Sequence, residues 1–196
     1  MLKRRACIAL GLGTLLAGAF AFVPTDARAR DVEVPVRVQA ELFAKLAGYD
    51  RNFAARAVTK ATVLVFVKKG DADSERVGAQ LVHELDAVPT MAGLPHVQEV
   101  VAFSTPARAA AACRERRAAM IYVAPGLSDQ VAAIAAALEG VDVLSAAALG
   151  DDVDHGVVVG VELASGKPRL IVNLGRARRQ NVSFKPEVLP LARVIQ

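Results

Sequence analysis

The C-terminal stretch from Gly156 to Ile195, GVVVGVELASGKPRLIVNLGRARRQNVSFKPEVLPLARVI, has the most specific pattern in the chain. Apolar residues recur at every second position in 157–161 and again in 170–174. Between these two runs lies Ser165-Gly166-Lys167-Pro168, a combination that is typical of a tight turn. The pattern therefore predicts a β-hairpin.

After Asn173 the spacing of the apolar residues changes from two to between three and four. The run Arg176–Arg179 predicts a short polar helix, and the apolar residues of 188–194 predict a second short helix. Asn173 lies where the strand gives way to the first of these helices. Its side chain is therefore expected to accept a hydrogen bond from a free N–H of the first helical turn.

Upstream of the hairpin, strand-like and helical patterns alternate three times. After an amphipathic helix over 38–46, the expected strands and helices are, in order, 62–67, 74–85, 97–103, 107–117, 118–124, 128–138 and 141–144. Apolar strands that alternate with helices need crossover connections. The predicted fold class is α/β, a largely parallel sheet with helices on both faces and a C-terminal antiparallel β-hairpin at the edge.

The N-terminus has the pattern of a leader. Lys3, Arg4 and Arg5 precede an apolar run over 6–23, and Ala27-Arg28-Ala29 offers the small residues that a signal peptidase reads. We expect a signal peptide over 1–29, export to the periplasm and a single α/β domain over 30–196. A transmembrane anchor is the alternative, although the run barely reaches the roughly 20 residues that a span needs.

The charge balance argues against nucleic-acid binding. The whole chain has a formal charge of +4, and removing 1–29, with four basic residues and one acidic residue, leaves +1. The chain has two Tyr, no Trp and no basic stripe interleaved with aromatic residues.

Residue sets for catalysis are missing from the sequence after the leader. It has no Gly-x-Ser-x-Gly elbow, no His-Glu-x-x-His and no phosphate-binding loop. Cys113 has no His nearby in sequence to activate it and is expected to be a small buried hydrophobe. Asp151–His155 could supply metal ligands but lacks the spacing of a calcium loop. We therefore expect no enzyme activity, no cofactor and no metal.

Two groups of residues are candidates for binding a partner or ligand. The first is the turn Tyr49, Asp50, Arg51 and Asn52, which follows the opening helix. Its Asp and Asn could equally well cap local structure, and the sequence does not separate these roles. The second is Arg176 and Arg179, which could hold an anion near a helix start or lie on a solvated helix face.

The C-terminal stretch resembles the ending of the YfiR family. The matching residues are Gly156-Val157, Val172-Asn173-Leu174, Ala177 and Leu189-Pro190-Leu191-Ala192-Arg193-Val194-Ile195. The resemblance extends more weakly back to about Glu41 and includes Gly48–Asn52. Many members carry paired disulfide cysteines and a Trp-Pro near the first helix, and this chain has neither.

The resemblance implies a periplasmic protein that binds and represses the periplasmic part of a membrane-bound diguanylate cyclase, and thereby controls cyclic-di-GMP and biofilm formation. The expected partner is such a cyclase or the periplasmic domain of a sensor kinase, and a homodimer is left open. A small-solute-binding domain is the second hypothesis, because parallel sheets bind ligands at the carboxyl ends of their strands. A metal enzyme that uses Asp151–His155 is the third.

Overall fold

The computed structural model describes residues 34–196. The strands are β1 (Ala61–Val67), β2 (His96–Ala102), β3 (Ala118–Val123), β4 (Leu144–Ala147), β5 (Val159–Ala164), β6 (Lys167–Asn173) and β7 (Ala192–Ile195). The α-helices are α1 (Val36–Ala47), α2 (Phe53–Ala57), α3 (Ala72–Asp86), α4 (Pro106–Glu115), α5 (Val131–Ala137) and α6 (Leu174–Arg179). Two 3-10 helices span Gly150–Val153 and Pro186–Leu191.

The strands form one sheet in the order β2-β1-β3-β4-β5-β6-β7. Neighbouring strands among β1 to β5 are parallel, β6 is antiparallel to β5, and β7 is parallel to β6. The order of the first five strands is one of the two common orders of doubly wound α/β sheets. The predicted fold class is confirmed.

The sheet is covered on both faces. In β1, Val63 and Val65 pack in the cluster that contains α1 and α3, whereas Leu64 and Phe66 pack in the cluster that contains α4 and α5. Successive side chains of a strand point to opposite faces, so the unbroken apolar run from Val63 to Val67 is the pattern of a strand buried on both sides. Tyr122 of β3 is fully buried, and its hydroxyl donates to Oε1 of Gln39 in α1 at 3.0 Å.

The predicted hairpin is formed by β5 and β6. Ala164 pairs with Lys167, which leaves Ser165 and Gly166 as a two-residue turn. Both have positive φ, 51° and 74° respectively. Positive φ at both central positions matches the right-handed twist of the strands on either side.

The second predicted helix, over 188–194, is wrong. Residues 186–191 form a 3-10 helix and 192–195 form β7, which pairs with β6 and is the outermost strand on this side of the sheet. Pro190 cannot donate to an α-helical hydrogen bond and clashes with the preceding turn, so an α-helix does not continue through it. Val194 and Ile195 then take the extended conformation that β-branched residues favour.

The fourth strand begins three residues later than predicted. Val141 and Val143 are buried, as their apolar character suggested, but they precede β4. The N–H of Val143 donates to the carbonyl of Gln180 at 3.3 Å rather than to a neighbouring strand. An apolar run therefore predicted burial correctly and the strand boundary wrongly.

The predicted signal peptide, 1–29, lies outside the described residues. Over 34–196, no helix combines the length and the apolar character that a membrane span requires.

Candidate functional site

Both groups of predicted binding residues lie at the edge of the sheet where the parallel strands begin, which we call the amino edge. Tyr49–Asn52 immediately precedes α2, and α2 leads into the start of β1. Arg176 and Arg179 belong to α6, which follows the end of β6. Because β6 is antiparallel to β5, the end of β6 lies beside the start of β5. Solutes bind open α/β sheets at the opposite edge, outside the carboxyl ends of the strands.

The segment Arg179–Lys185 connects the two groups along the amino edge. The carbonyl of Arg179 accepts a hydrogen bond from the N–H of Gly140 at 2.9 Å. Further along, the side-chain amide of Asn52 donates to the carbonyl of Asn181 at 2.8 Å. The N–H of Arg51 donates to the carbonyl of Ser183 at 2.9 Å. The two predicted groups are thus parts of one hydrogen-bonded surface.

Asp50 holds the turn in place from inside the protein. It is 4% exposed, and its Oδ1 accepts from the N–H groups of Asn52 at 3.1 Å and Ser183 at 3.0 Å. Its Oδ2 lies 2.8 Å from Nη1 of Arg56. Among the four residues of the turn, the side chain of Arg51 is exposed and that of Tyr49 is half-buried. Asp50 and Asn52 shape the turn through these hydrogen bonds, Arg51 is exposed, and Tyr49 and Asn52 are partly exposed.

Arg56 is the central residue of this network, and its role was not predicted from the sequence. Its side chain is 3% exposed, and Nε lies 2.6 Å from Oδ1 of Asp142. Its Nη2 donates to the carbonyl of Asn181 at 3.1 Å. The signal in the sequence is an arginine among small apolar residues six positions after Asp50, and nothing in that signal identifies Asp142 as the second partner.

Arg176 and Arg179 share one carboxylate. Nη1 of Arg176 lies 3.0 Å from Oε1 of Glu139, and Nη1 of Arg179 lies 2.7 Å from the same oxygen. The side chain of Arg179 is 57% exposed and that of Arg176 is 26% exposed. Arg176 is the less exposed of the two, because its guanidinium lies against Gly156, whose missing Cβ would be 3.0 Å from Nε.

The predicted cap of α6 is confirmed. Oδ1 of Asn173 accepts from the N–H of Arg176 at 2.9 Å, and its Nδ2 donates to the carbonyl of Val153 at 3.3 Å. Asn173 therefore already accepts from an N–H at the start of α6, and Glu139 already pairs with the guanidinium groups of Arg176 and Arg179. An anion that bound at the start of α6 would have to displace these contacts.

Asn173→Ala is expected to lower the free energy of unfolding by about 1 kcal/mol, because the N–H of Arg176 loses its acceptor. Denaturant unfolding followed by circular dichroism measures this loss. Asn173→Ser, which keeps a capping oxygen, should recover much of it, and an alanine variant as stable as the parent would contradict the capping role.

The sequence offered two further candidates, Cys113 and the segment Asp151–His155. Cys113 is buried, and burial raises the pKa of its thiol to about 12, which keeps it protonated near neutral pH and unsuited to nucleophilic attack. In the Asp151–His155 segment, Nδ1 of His155 lies 3.0 Å from the carbonyl oxygen of Asp151, and Asp152 is buried. Within 34–196, His, Cys, Asp and Glu side chains do not come together in any group of three that could hold a metal.

Fold and site together define a doubly wound α/β domain whose amino edge carries a network of arginines and carboxylates. The family model described as DUF4154, YfiR/HmsC-like, matches residues 37–193, and the chain belongs to this family. The predicted family is confirmed. The family consists of periplasmic, regulatory and non-catalytic proteins, and membership supports in general terms the regulation of a diguanylate cyclase system. No curated protein matches the chain.

Solved structures are similar to the chain in fold at low sequence identity. One is the ABC domain in complex with L-Trp from Streptococcus pneumonia, with 12% identity and a TM-score of 0.59 over 83% of this chain and 62% of that one. A conserved domain protein from Vibrio cholerae O1 biovar El Tor has 14% identity and a TM-score of 0.56 over 83% and 60%. A ligand-free, open substrate-binding protein with adhesive properties from Clostridium difficile has 12% identity and a TM-score of 0.52, with the same coverage. The chain spans less than two thirds of the length of each, and the likeness concerns the fold.

Proposed function

We propose that the chain is a periplasmic regulator that binds the periplasmic part of a membrane-bound diguanylate cyclase and represses it. The observation that carries this proposal is the family match over 37–193. In this proposal the leader, 1–29, directs export, and 30–196 acts as one regulatory domain. Repression by binding needs no catalytic residue, in agreement with the buried, protonated Cys113.

The amino edge is the surface that we propose for this contact. Arg51 and Arg179 are exposed there, Tyr49 and Arg176 are partly exposed, and Asp50, Asn52 and Arg56 fix the backbone beneath them. Arg guanidinium groups and Tyr rings are enriched among the residues that dominate binding energy at protein interfaces. An acidic partner surface would accept charge-assisted hydrogen bonds from these arginines in exchange for those of Glu139.

Solute binding is the second candidate function, and the fold of the similar substrate-binding structures favours it. Ligands of doubly wound sheets bind at the carboxyl ends of the strands. At the carboxyl ends of β1 and β2 the structure has a cavity of about 50 Å³, lined by Phe66, Phe103 and Arg108 among others. Pockets for small ligands usually have about 300–1,000 Å³, so this cavity is small for a solute.

The test is affinity capture of the protein, without its leader, from detergent-solubilised membranes. We expect recovery of a membrane-anchored diguanylate cyclase, identified by mass spectrometry. Arg176→Ala together with Arg179→Ala should greatly reduce recovery, while the melting temperature moves little, because exposed ion pairs contribute about 0–1 kcal/mol.

The matched control is Arg37→Ala with Arg76→Ala, which removes the same charge from exposed ion pairs near the starts of α1 and α3. It should recover as much cyclase as the parent protein. Repeated failure to recover any cyclase, combined with thermal stabilisation by a small solute, would contradict regulation and favour solute binding.

A further inference from the structure

A second feature of the amino edge is a pocket of about 480 Å³ that none of the predicted site residues line. It lies where three loops enter the neighbouring strands β1, β3 and β4, namely 58–60, 116–117 and 138–143. Its lining includes Arg56, Val58, Cys113, Arg114, Arg117 and Asp142.

The pocket carries a net positive charge. Arg56 lies between two carboxylates, 2.6 Å from Asp142 and 2.8 Å from Asp50, so this group of three side chains carries one net negative charge. Arg114 and Arg117 are exposed, and within residues 34–196 neither has a carboxylate partner. The neighbouring Arg116, in contrast, is paired with Glu99 at 3.0 Å. The two free guanidinium groups therefore outweigh the one net negative charge of the Asp50–Arg56–Asp142 group, in which Arg56 is buried and Asp142 is half-exposed.

Val58 gives the pocket an exposed apolar rim. It is 63% exposed and has φ 61° and ψ −85°, a strained conformation for a β-branched residue. In this backbone conformation the side chain of Val58 is exposed to solvent, in the same pocket lining as Arg114 and Arg117. Strained residues of this kind cluster at binding and functional sites, where the fold offsets their cost.

We propose that this pocket receives an acidic side chain of a protein partner, with an apolar residue of the same partner covering Val58. The proposal rests on the proposed function and names the chemistry of the contact. The carboxylate would accept hydrogen bonds from Arg114 and Arg117, whose two positive charges exceed the one net negative charge of the Asp50–Arg56–Asp142 group beside them.

Exposure favours a protein partner over a free carboxylate. A small ligand usually has most of its surface buried by its pocket. Here the free arginines and Val58 remain exposed, an arrangement in which a second protein surface is needed to exclude water. Arginine beside an apolar anchor is also typical of the residues that dominate protein interfaces.

The test uses a strain that lacks the chain's gene and is complemented with the full-length gene or its variants. Cellular cyclic-di-GMP is measured, together with the affinity of each leaderless variant for the periplasmic domain of the captured cyclase. Arg114→Ala with Arg117→Ala should weaken binding about tenfold or more and raise cyclic-di-GMP. Val58→Gly should also weaken binding without lowering the melting temperature, because glycine adopts positive φ freely. The control Arg37→Ala with Arg76→Ala should match the parent.

The outcomes separate this inference from the proposed function. If the parent gene does not lower cyclic-di-GMP, the proposed function itself fails. If the parent lowers it and the Arg114/Arg117 variant binds and represses equally well, regulation stands and the pocket contact is overturned. Thermal stabilisation of the parent by free glutamate or citrate, absent in the Arg114/Arg117 variant, would assign the pocket to a small carboxylate and also overturn the contact.

Discussion

Arg56→Ala is expected to lower the free energy of unfolding by about 3–5 kcal/mol, because it leaves the carboxylate of Asp50 buried without its cation. The same change removes the partner of Asp142 and a donor to the carbonyl of Asn181. Nη1 of Arg56 also donates to the carbonyl of Ala119 at the start of β3, at 3.4 Å. The start of β3, the turn at Asp50 and the segment at Asn181 would therefore lose their common contact. We therefore expect weaker cyclase binding as well as lower stability.

Urea unfolding followed by circular dichroism measures this effect. Arg37→Ala is the matched control, since it removes an arginine from an exposed pair with Glu41 on α1. Exposed pairs of this kind contribute about 0.3–0.5 kcal/mol, so the control should stay close to the parent protein. An Arg56 variant that loses less than about 1 kcal/mol would contradict the central role of this residue.

Gly156→Ala is expected to cost about 3 kcal/mol, through two separate effects. Gly156 has φ +116°, which side chains rarely adopt, and an added Cβ would lie 2.8 Å from Cβ of Ala135 and 3.0 Å from Nε of Arg176. The substitution would push Arg176 away from Glu139 and disturb α6.

Gly166→Ala separates strain from overpacking. Gly166 also has positive φ, +74°, but its added Cβ would meet nothing within 4 Å. The control should therefore lose only about 1–2 kcal/mol, the cost of the backbone conformation alone. Thermal and denaturant unfolding of both variants provide the comparison, and equal losses would show that Gly156 is needed for its φ rather than for the space around Arg176.

The alternation of apolar runs was sufficient to predict the fold class. Every residue of β1 from Val63 to Val67 is apolar, and this indicates burial on both faces without any knowledge of the neighbouring strands. The ends of the elements were less predictable. Residues 192–194 were predicted as part of a helix because their strand character depends on pairing with β6, a contact that the spacing of apolar residues alone does not encode.

The candidate site was predictable only where its residues interact locally. Asn173 caps a helix three residues away, so its role followed from sequence spacing. Arg56 joins Asp50 to Asp142. Because Asp142 lies 86 positions after Arg56, the sequence contains no sign of that contact. Arg176 and Arg179 were identified as a charged pair, but Glu139, the carboxylate that they share, belongs to the segment after α5 and was missed for the same reason.

The most direct test of regulation is the rate of cyclic-di-GMP synthesis by the captured cyclase in membranes or detergent, with increasing amounts of the leaderless protein. We predict that the rate falls as the protein binds, and that the variant with Arg176→Ala and Arg179→Ala lowers it much less at equal concentration. A synthesis rate that stays constant while the protein is demonstrably bound would contradict repression.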